Sequence, residues 1–406
     1  MTGLQTARIL VQRQIPVIGF AKDRKHPCCS TRVCKEIVFG EIDSEELLQI
    51  LKDFGPRMEE KAILYPCTDF SVLLVSRHRQ ELEAWYYIVL PDANVVEMLV
   101  DKAQFHAFAE REHLAVPGAV LLRSRADAER SARDLPFPRI LKPPFKTKQW
   151  QEHAGAKAFK VNSGRELLSL YDRCGGLADV LMLQEWIPGG DSNHYTCNCY
   201  FNAESKPIVT FVTQKIRQWP PEAGIGSLAV ECRNDIVLEQ TIDLFTRVNF
   251  RGLAYLEVKR DESTGKHLII EPNIGRPTGR SATAEAAGVD LLYAKYCDTI
   301  GWPLPTNLTQ TYQGVKWIYF RRDLQASFHA WRRGELSFKS WLHSLRGRKI
   351  DALFSWSDPR PFLLDLMHAF TCFCFPTARK ERNDEGRRDG TRRGTHRRWE
   401  APGHRL

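Results

Sequence analysis

No run in these 406 residues is apolar for long enough to cross a bilayer. The best candidate, residues 362–375, is interrupted by Asp365 and His368 and falls short of the roughly 20 residues a membrane helix needs. The start, Met1-Thr-Gly-Leu-Gln-Thr-Ala-Arg8, lacks the charged-then-apolar profile of a signal peptide. Cysteine is present, but not in a metal-binding pattern. The 11 residues are odd in number, and Cys28-Cys29, Cys197-x-Cys199 and Cys372-x-Cys374 do not make paired CxxC sets. Free thiols in a reduced, cytoplasmic chain are expected. There is no internal repeat. Net positive charge is also small over most of the chain. The net charge is +9, but residues from Arg379 onward hold 10 Lys/Arg against 5 Asp/Glu, which leaves +4 for the rest. A general affinity for nucleic acid does not follow, and none is expected.

What is present fits a folded chain of two or three domains. Hydrophobic residues make up 43% and charged residues 26%, enough for a sizeable core. Residues 1–95 alternate helix and strand signals. Residues 6–13 read as a helix and 15–20 as a buried strand. Ser44 caps a helix over 45–52 with Leu47, Leu48 and Leu51 on one face. Residues 62–65 and 87–90 read as further short strands. Such alternation implies an α/β domain with a parallel sheet between helices. Residues 96–180 suggest a small α+β lobe and 181–300 a larger one with longer strands. Residues 301–377 read as helical and Trp-rich, and 378–406 as a basic, disordered tail.

The strongest chemical signal lies late. Two apolar runs, Gly252-Leu-Ala-Tyr-Leu-Glu-Val-Lys259 and Leu268-Ile-Ile-Glu-Pro-Asn-Ile-Gly-Arg276, are joined by Asp261-Glu-Ser-Thr-Gly265 and read as a β-hairpin. Glu257 and Glu271 then sit on adjacent strands, with Asn273 and Arg276 close behind. Oxygen ligands of this kind suit Mg²⁺ beside substrate phosphates, and an arginine there suits a transferring phosphoryl group. Two exposed carboxylates with a salt-bridging arginine would read the same way. Earlier segments add cations and a turn. Asp101-Lys102 opens a helix, Leu141-Lys-Pro143 ends a strand, and Gln184-Glu-Trp-Ile-Pro-Gly-Gly-Asp191 runs from a strand into a glycine turn.

That ordered set resembles the ATP-grasp superfamily, and within it the carboxylate–amine ligases with some likeness to D-aspartate ligases, over roughly residues 1–370. The resemblance implies a fold of two α+β lobes preceded by a Rossmann-like parallel α/β domain. In that domain Thr2-Gly-Leu looks like the turn after a first strand. That strand is expected to be missing, which would leave inner sheet edges unpaired. The resemblance also implies ATP and Mg²⁺ (or Mn²⁺) as cofactors. Lys102 and Lys142 would meet phosphate oxygens. Gln184, Glu185, Trp186 and Ile187 would form the adenine hinge, binding through main-chain groups of Glu185 and Ile187, and Asp191 would accept from ribose. Glu257, Glu271 and Asn273 would hold metal, and Arg276 would stabilise phosphoryl transfer. Lys215 and Arg217, expected to share a strand face, are assigned to phosphate and to a carboxylate substrate or acyl phosphate, and Arg280 to the acceptor pocket. The expected activity is ATP-dependent joining of a small-molecule carboxylate to an amine, in a chain that resembles homodimers. A catalytically degenerate nucleotide-binding regulator of the same fold is the rival.

Two departures from the family pattern stand out. Arg276 follows Asn273 by one residue more than in Glu-x-Asn-x-Arg. The lid, residues 143–155, has a single glycine where its relatives are glycine-rich. Lys146 and Lys148 are candidates to replace lid amides at the phosphates. Phe145, Trp150 and His153 are alternatively the lining for an apolar substrate.

Overall fold

The computed structural model describes residues 1–374 except Lys146 and Ala223, and does not describe the side chains of Lys148 and residues 370–374. The expected tail over 378–406 and the phosphate role for Lys146 and Lys148 lie outside the described residues.

The chain opens with the helix Thr2–Gln12. Four short strands follow: β1 (Ile18–Ala21), β2 (Glu36–Phe39), β3 (Ala62–Ile63) and β4 (Tyr86–Tyr87). They form two separate parallel pairs, β1 with β2 and β3 with β4, rather than one sheet. Strands of two to four residues carry few ladder bonds, so the region leans on helix packing. Val72, Leu74, Leu82, Leu90, Val96 and Leu99 supply its buried apolar surface.

The small lobe is a four-stranded antiparallel sheet of β5 (Ala119–Leu122), β6 (Arg139–Lys142), β7 (Phe159–Val161) and β8 (Leu181–Glu185), in the order β5-β8-β6-β7. The buried strand β8 therefore belongs to this sheet, and the lobe extends beyond the boundary expected at residue 180. Helices Arg125–Asp134 and Gly164–Cys174 cover it. Each is started by a serine whose hydroxyl accepts an amide of the first turn, Ser124 from Asp127 and Ser163 from Glu166. Trp150 is not a free lid side chain. It lies in this lobe's core, 1% exposed, and its indole N–H donates to the Ala156 carbonyl at 3.0 Å.

The large lobe holds β9 (His194–Phe201), β10 (Pro207–Trp219), β11 (Ile225–Glu231), β12 (Gly252–Arg260), β13 (His267–Ile274), β14 (Lys316–Ile318) and β15 (Lys349–Asp351), in the order β13-β12-β9-β10-β11-β14-β15. The stretch expected to be helical thus also supplies β14 and β15, a parallel pair at one edge. Cys197 and Cys199 are wholly buried on β9, so their spacing serves packing, and the nine described cysteines are free thiols. Phe201, Phe245 and Phe250 lie with ring centroids 4.7–6.1 Å apart, in a core that runs on into Val72 and Leu90 of the N-terminal region.

Candidate active site between the lobes

The β12–β13 hairpin sets Glu257 directly opposite Glu271 and Tyr255 opposite Asn273. Each carboxylate meets a cation from elsewhere. Glu271 Oε2 lies 3.1 Å from Lys102 Nζ. Lys102 is the first residue of helix Lys102–Arg111 because Asp101 caps it, accepting from the Ala103 and Gln104 amides at 2.8 and 2.9 Å. Burial pulls the Lys102 pKa down, but the Glu271 carboxylate outweighs it and the net shift is upward. Glu257 Oε1 lies 3.2 Å from Arg280 Nη2. Gly226 leaves room for that arginine, since a Cβ there would stand 3.3 Å from Arg280 Nη1.

Behind Glu257 the positive charge is in excess. Lys215 is buried, and burial lowers its pKa to about 8, with Glu257 opposing that shift and Arg280 adding to it. Its ammonium donates to Gln218 Oε1 at 2.9 Å. Gln218 in turn donates its main-chain and side-chain N–H groups to Asp191, at 3.0 and 2.7 Å. Lys259, whose pKa burial also lowers, donates to the Ile187 carbonyl at 2.7 Å. His194 pairs with Lys259 in register. Burial, then the charges of Lys215, Lys259 and Arg280, push the His194 pKa to about 2, so its ring stays neutral. Buried cations gathered in this way are costly unless an anion joins them. Lys215→Met is therefore expected to raise the melting temperature of the protein alone at pH 7 while removing stabilisation by added ATP. The folded pKa lies below the ordinary 10.5, so the penalty is complete below pH 8 and fades between pH 8 and 10.5. It is on the order of 3 kcal/mol. Scanning calorimetry at pH 7 and pH 10, with and without ATP, reads both effects; a variant that melts below the parent at pH 7 contradicts them.

The small lobe adds the other side. Lys142 Nζ donates to Gln184 Oε1 at 2.7 Å, with both residues buried. A small hollow is lined by Lys102, Lys142, Met182, Gln184, Ile269 and Ile270, so groups from the early helix, the small-lobe sheet and the late hairpin share one space. The Glu185 amide donates to the Gly118 carbonyl at 2.8 Å. The Trp186 ring has Lys160 Nζ at 4.3 Å and Lys259 Nζ at 5.0 Å from its centroid.

Arg276 reaches Asn273 by a sharp backbone turn. Gly275 sits at φ +68°, and a Cβ there would stand 2.4 Å from Leu90 Cδ2. The guanidinium donates to Asp69 Oδ1 at 2.7 Å, the Tyr255 hydroxyl at 2.5 Å and Asn273 Oδ1 at 2.7 Å. Gly275→Ala is expected to cost about 1–3 kcal/mol and to displace Arg276; a denaturant midpoint equal to the parent's contradicts this.

One placement differs from the expectation. Arg217 does not join Lys215. Its guanidinium makes a two-pronged ion pair with buried Asp323, at 2.8 and 2.9 Å. The pairing of β10 with β11 is irregular between Lys215 and Gln218, which breaks the alternation that would have put Lys215 and Arg217 on one face. Asp191 accepts from Gln218 through both of its oxygens, and each oxygen keeps a further lone pair. Five residues missing from the sequence reading also belong here: Asp69, Lys160, His194, Tyr255 and Lys259. Tyr255 and Lys259 alternate with Glu257 along β12, and that spacing was available. Asp69, Lys160 and His194 arrive through tertiary packing and register.

No family model matches the chain. It is 25% identical over 278 residues to the D-aspartate ligase of Enterococcus faecium (strain Aus0004), a match that covers 65% of this chain and 66% of that protein, or about two thirds of each. The N5-carboxyaminoimidazole synthetase of Staphylococcus aureus complexed with ADP superposes with a TM-score of 0.59 at 13% identity, over 76% of this chain and 77% of the other. The biotin carboxylase domain dimer of the Hydrogenobacter thermophilus 2-oxoglutarate carboxylase, complexed with MgADP, ADP and bicarbonate, gives 0.59 at 14% identity, over 75% and 69%. The chain shares its fold with these solved structures, and its sequence is similar to that of the D-aspartate ligase.

Proposed function

We propose that the chain is an ATP-dependent ligase that joins a carboxylate to an amine. The observation that carries this reading is the meeting of Glu257 and Glu271, opposite each other on one hairpin, with Lys102, Lys215 and Arg280 from three other segments. A substrate carboxylate oxygen attacks the terminal phosphate of ATP, and ADP leaves. The amine then attacks the acyl carbon, and phosphate departs as the amide forms. The work of the chain is positioning and charge. Lys102, Lys142 and Lys215 neutralise phosphate oxygens. The Glu185 carbonyl and the Ile187 amide take the adenine edge, beside Trp186. Arg276 has five N–H donors, of which three are engaged, so two remain for a phosphoryl oxygen.

The donor set fits Mg²⁺, with Mn²⁺ as a substitute. Among the described residues no three His, Cys, Asp or Glu side chains converge on one point. A pair of carboxylates is, however, the sparse set that Mg²⁺ uses when phosphates complete its shell. Asn273 Oδ1 accepts from Arg276 and keeps a second lone pair, while its Nδ2 is buried without a partner. Glu257, Glu271 and Asn273 would hold the ion, which when bound offsets charge on the phosphates.

A panel of carboxylates, D-aspartate among them, is assayed with a panel of amines for Mg²⁺-dependent phosphate release. Release that needs both partners is expected. ATP binding without release for any pair favours the regulatory reading.

A further inference from the structure

One face of the large lobe combines exposed rings with positive charge. On helix Phe320–Arg332, Leu324, Phe328 and Trp331 recur at the spacing that marks one side of a helix. All three are exposed, Phe328 at 59% and Trp331 at 57%, with their rings 5.8 Å apart. The next helix, Phe338–Ser344, exposes Phe338 (65%) and Leu342 one turn apart. Trp341 of that helix faces inward, and its indole N–H donates to Asp323 at 3.0 Å, which fixes the second helix against the first. Across residues 320–349 there are eight Lys/Arg and two Asp/Glu. Asp323 is buried beneath Arg217, and Glu335 pairs with Arg333. Arg332, Lys339, Arg346, Arg348 and Lys349 are left as an exposed basic rim.

Large apolar side chains held outward within such a rim match a surface that offers hydrocarbon beneath anionic headgroups. A nucleic acid would meet the charge but leave Leu324 and Leu342 without a role. A second copy of this chain would bring a like-charged rim against this one. We propose that this face docks on an anionic lipid bilayer, with the rings at headgroup depth and the basic residues against the lipid phosphates. Among the described residues no helix is long and apolar enough to cross a membrane, so the contact lies on the bilayer rather than through it. The face also touches the strand that carries Lys215, since the Trp219 ring at the end of β10 lies 5.7 Å from the His329 ring.

The test uses the full chain and vesicles of phosphatidylcholine, with or without phosphatidylglycerol. Sedimentation with the anionic vesicles is expected. It should fall roughly tenfold in high salt, in the variant F328S/W331S/F338S and in the variant K339E/R346E. The variants should keep the parent's melting temperature and its stabilisation by ATP, and the basic residues after 378 are the same in every arm. Tryptophan emission, which the chain's 10 tryptophans share, should be quenched by brominated acyl chains in the unaltered protein and less so in Trp331→Phe, a substitution that keeps an aromatic ring. Equal sedimentation with both vesicle types, or binding that survives in both variants, overturns the proposal. So does RNA binding without vesicle binding, and so does a dimer that the ring substitutions dissolve while vesicles are ignored.

Discussion

Glu271→Gln is expected to lower Mg²⁺-dependent ADP formation by about a thousandfold or more. The substitution preserves shape, so it isolates charge. Two losses follow from it. The pair opposite Glu257 keeps a single carboxylate for the metal. Lys102 also loses the group that holds its pKa up, so burial is left to push its ammonium towards neutrality. Both changes fall on the phosphates. Nucleotide binding without metal should weaken far less, because Lys142, Lys215 and the hinge are untouched. Coupled ADP assays over a Mg²⁺ titration, beside calorimetric ATP binding in chelator, separate the two effects. Turnover near the parent's rate would remove Glu271 from the metal set.

Asp323→Ala should destabilise the protein by about 3–5 kcal/mol, a fall in melting temperature on the order of 10 °C. Asp323 accepts from Nε and Nη2 of Arg217, from the Ser227 hydroxyl at 3.3 Å and from the Trp341 indole. Removing it leaves a buried guanidinium with no counter-charge. Arg217→Ala should cost a similar amount, and the double variant much less than the sum, because the remaining partner is no longer stranded. Denaturant melts of the four proteins measure the coupling. Singles that add without coupling would mean the pair is not the anchor it looks to be, and would reopen a substrate role for Arg217.

These outcomes bear on how much the sequence could disclose. The hairpin was legible because two apolar runs and an Asp-to-Gly turn are local signals, and the opposition of Glu257 and Glu271 followed from them. The Asp101 cap and the placing of Lys102 at a helix start were legible for the same reason. What stayed hidden depended on distant partners. Nothing near Arg217 in sequence announces Asp323, more than a hundred residues on. Trp150 falls in the segment that the resemblance makes the lid, yet it fills the small-lobe core. The parallel alternation of residues 1–95 was readable, but its division into two strand pairs depends on which strands meet. The late strands β14 and β15 are three residues each, too short for a periodic signal.

The offset in β10 carries a consequence for changes in chain length. Lys215 opposes Ala229 and Gln218 opposes Gly226, three residues on along each strand, but Arg217 between them opposes Leu228, so the pairing skips Ile216 on β10 and Ser227 on β11 and recovers its phase without a net insertion. Lys215 and Gln218 are bonded to each other although three apart, which strict alternation would forbid. Excising Ile216 would shorten β10 by one residue with no matching loss from β11, so that the residues after it slip by one place against their partners and each side chain turns to the other face. A one-codon deletion at this point thus does damage that no point substitution at Ile216 can imitate, while changes that leave the residue count alone preserve the phase.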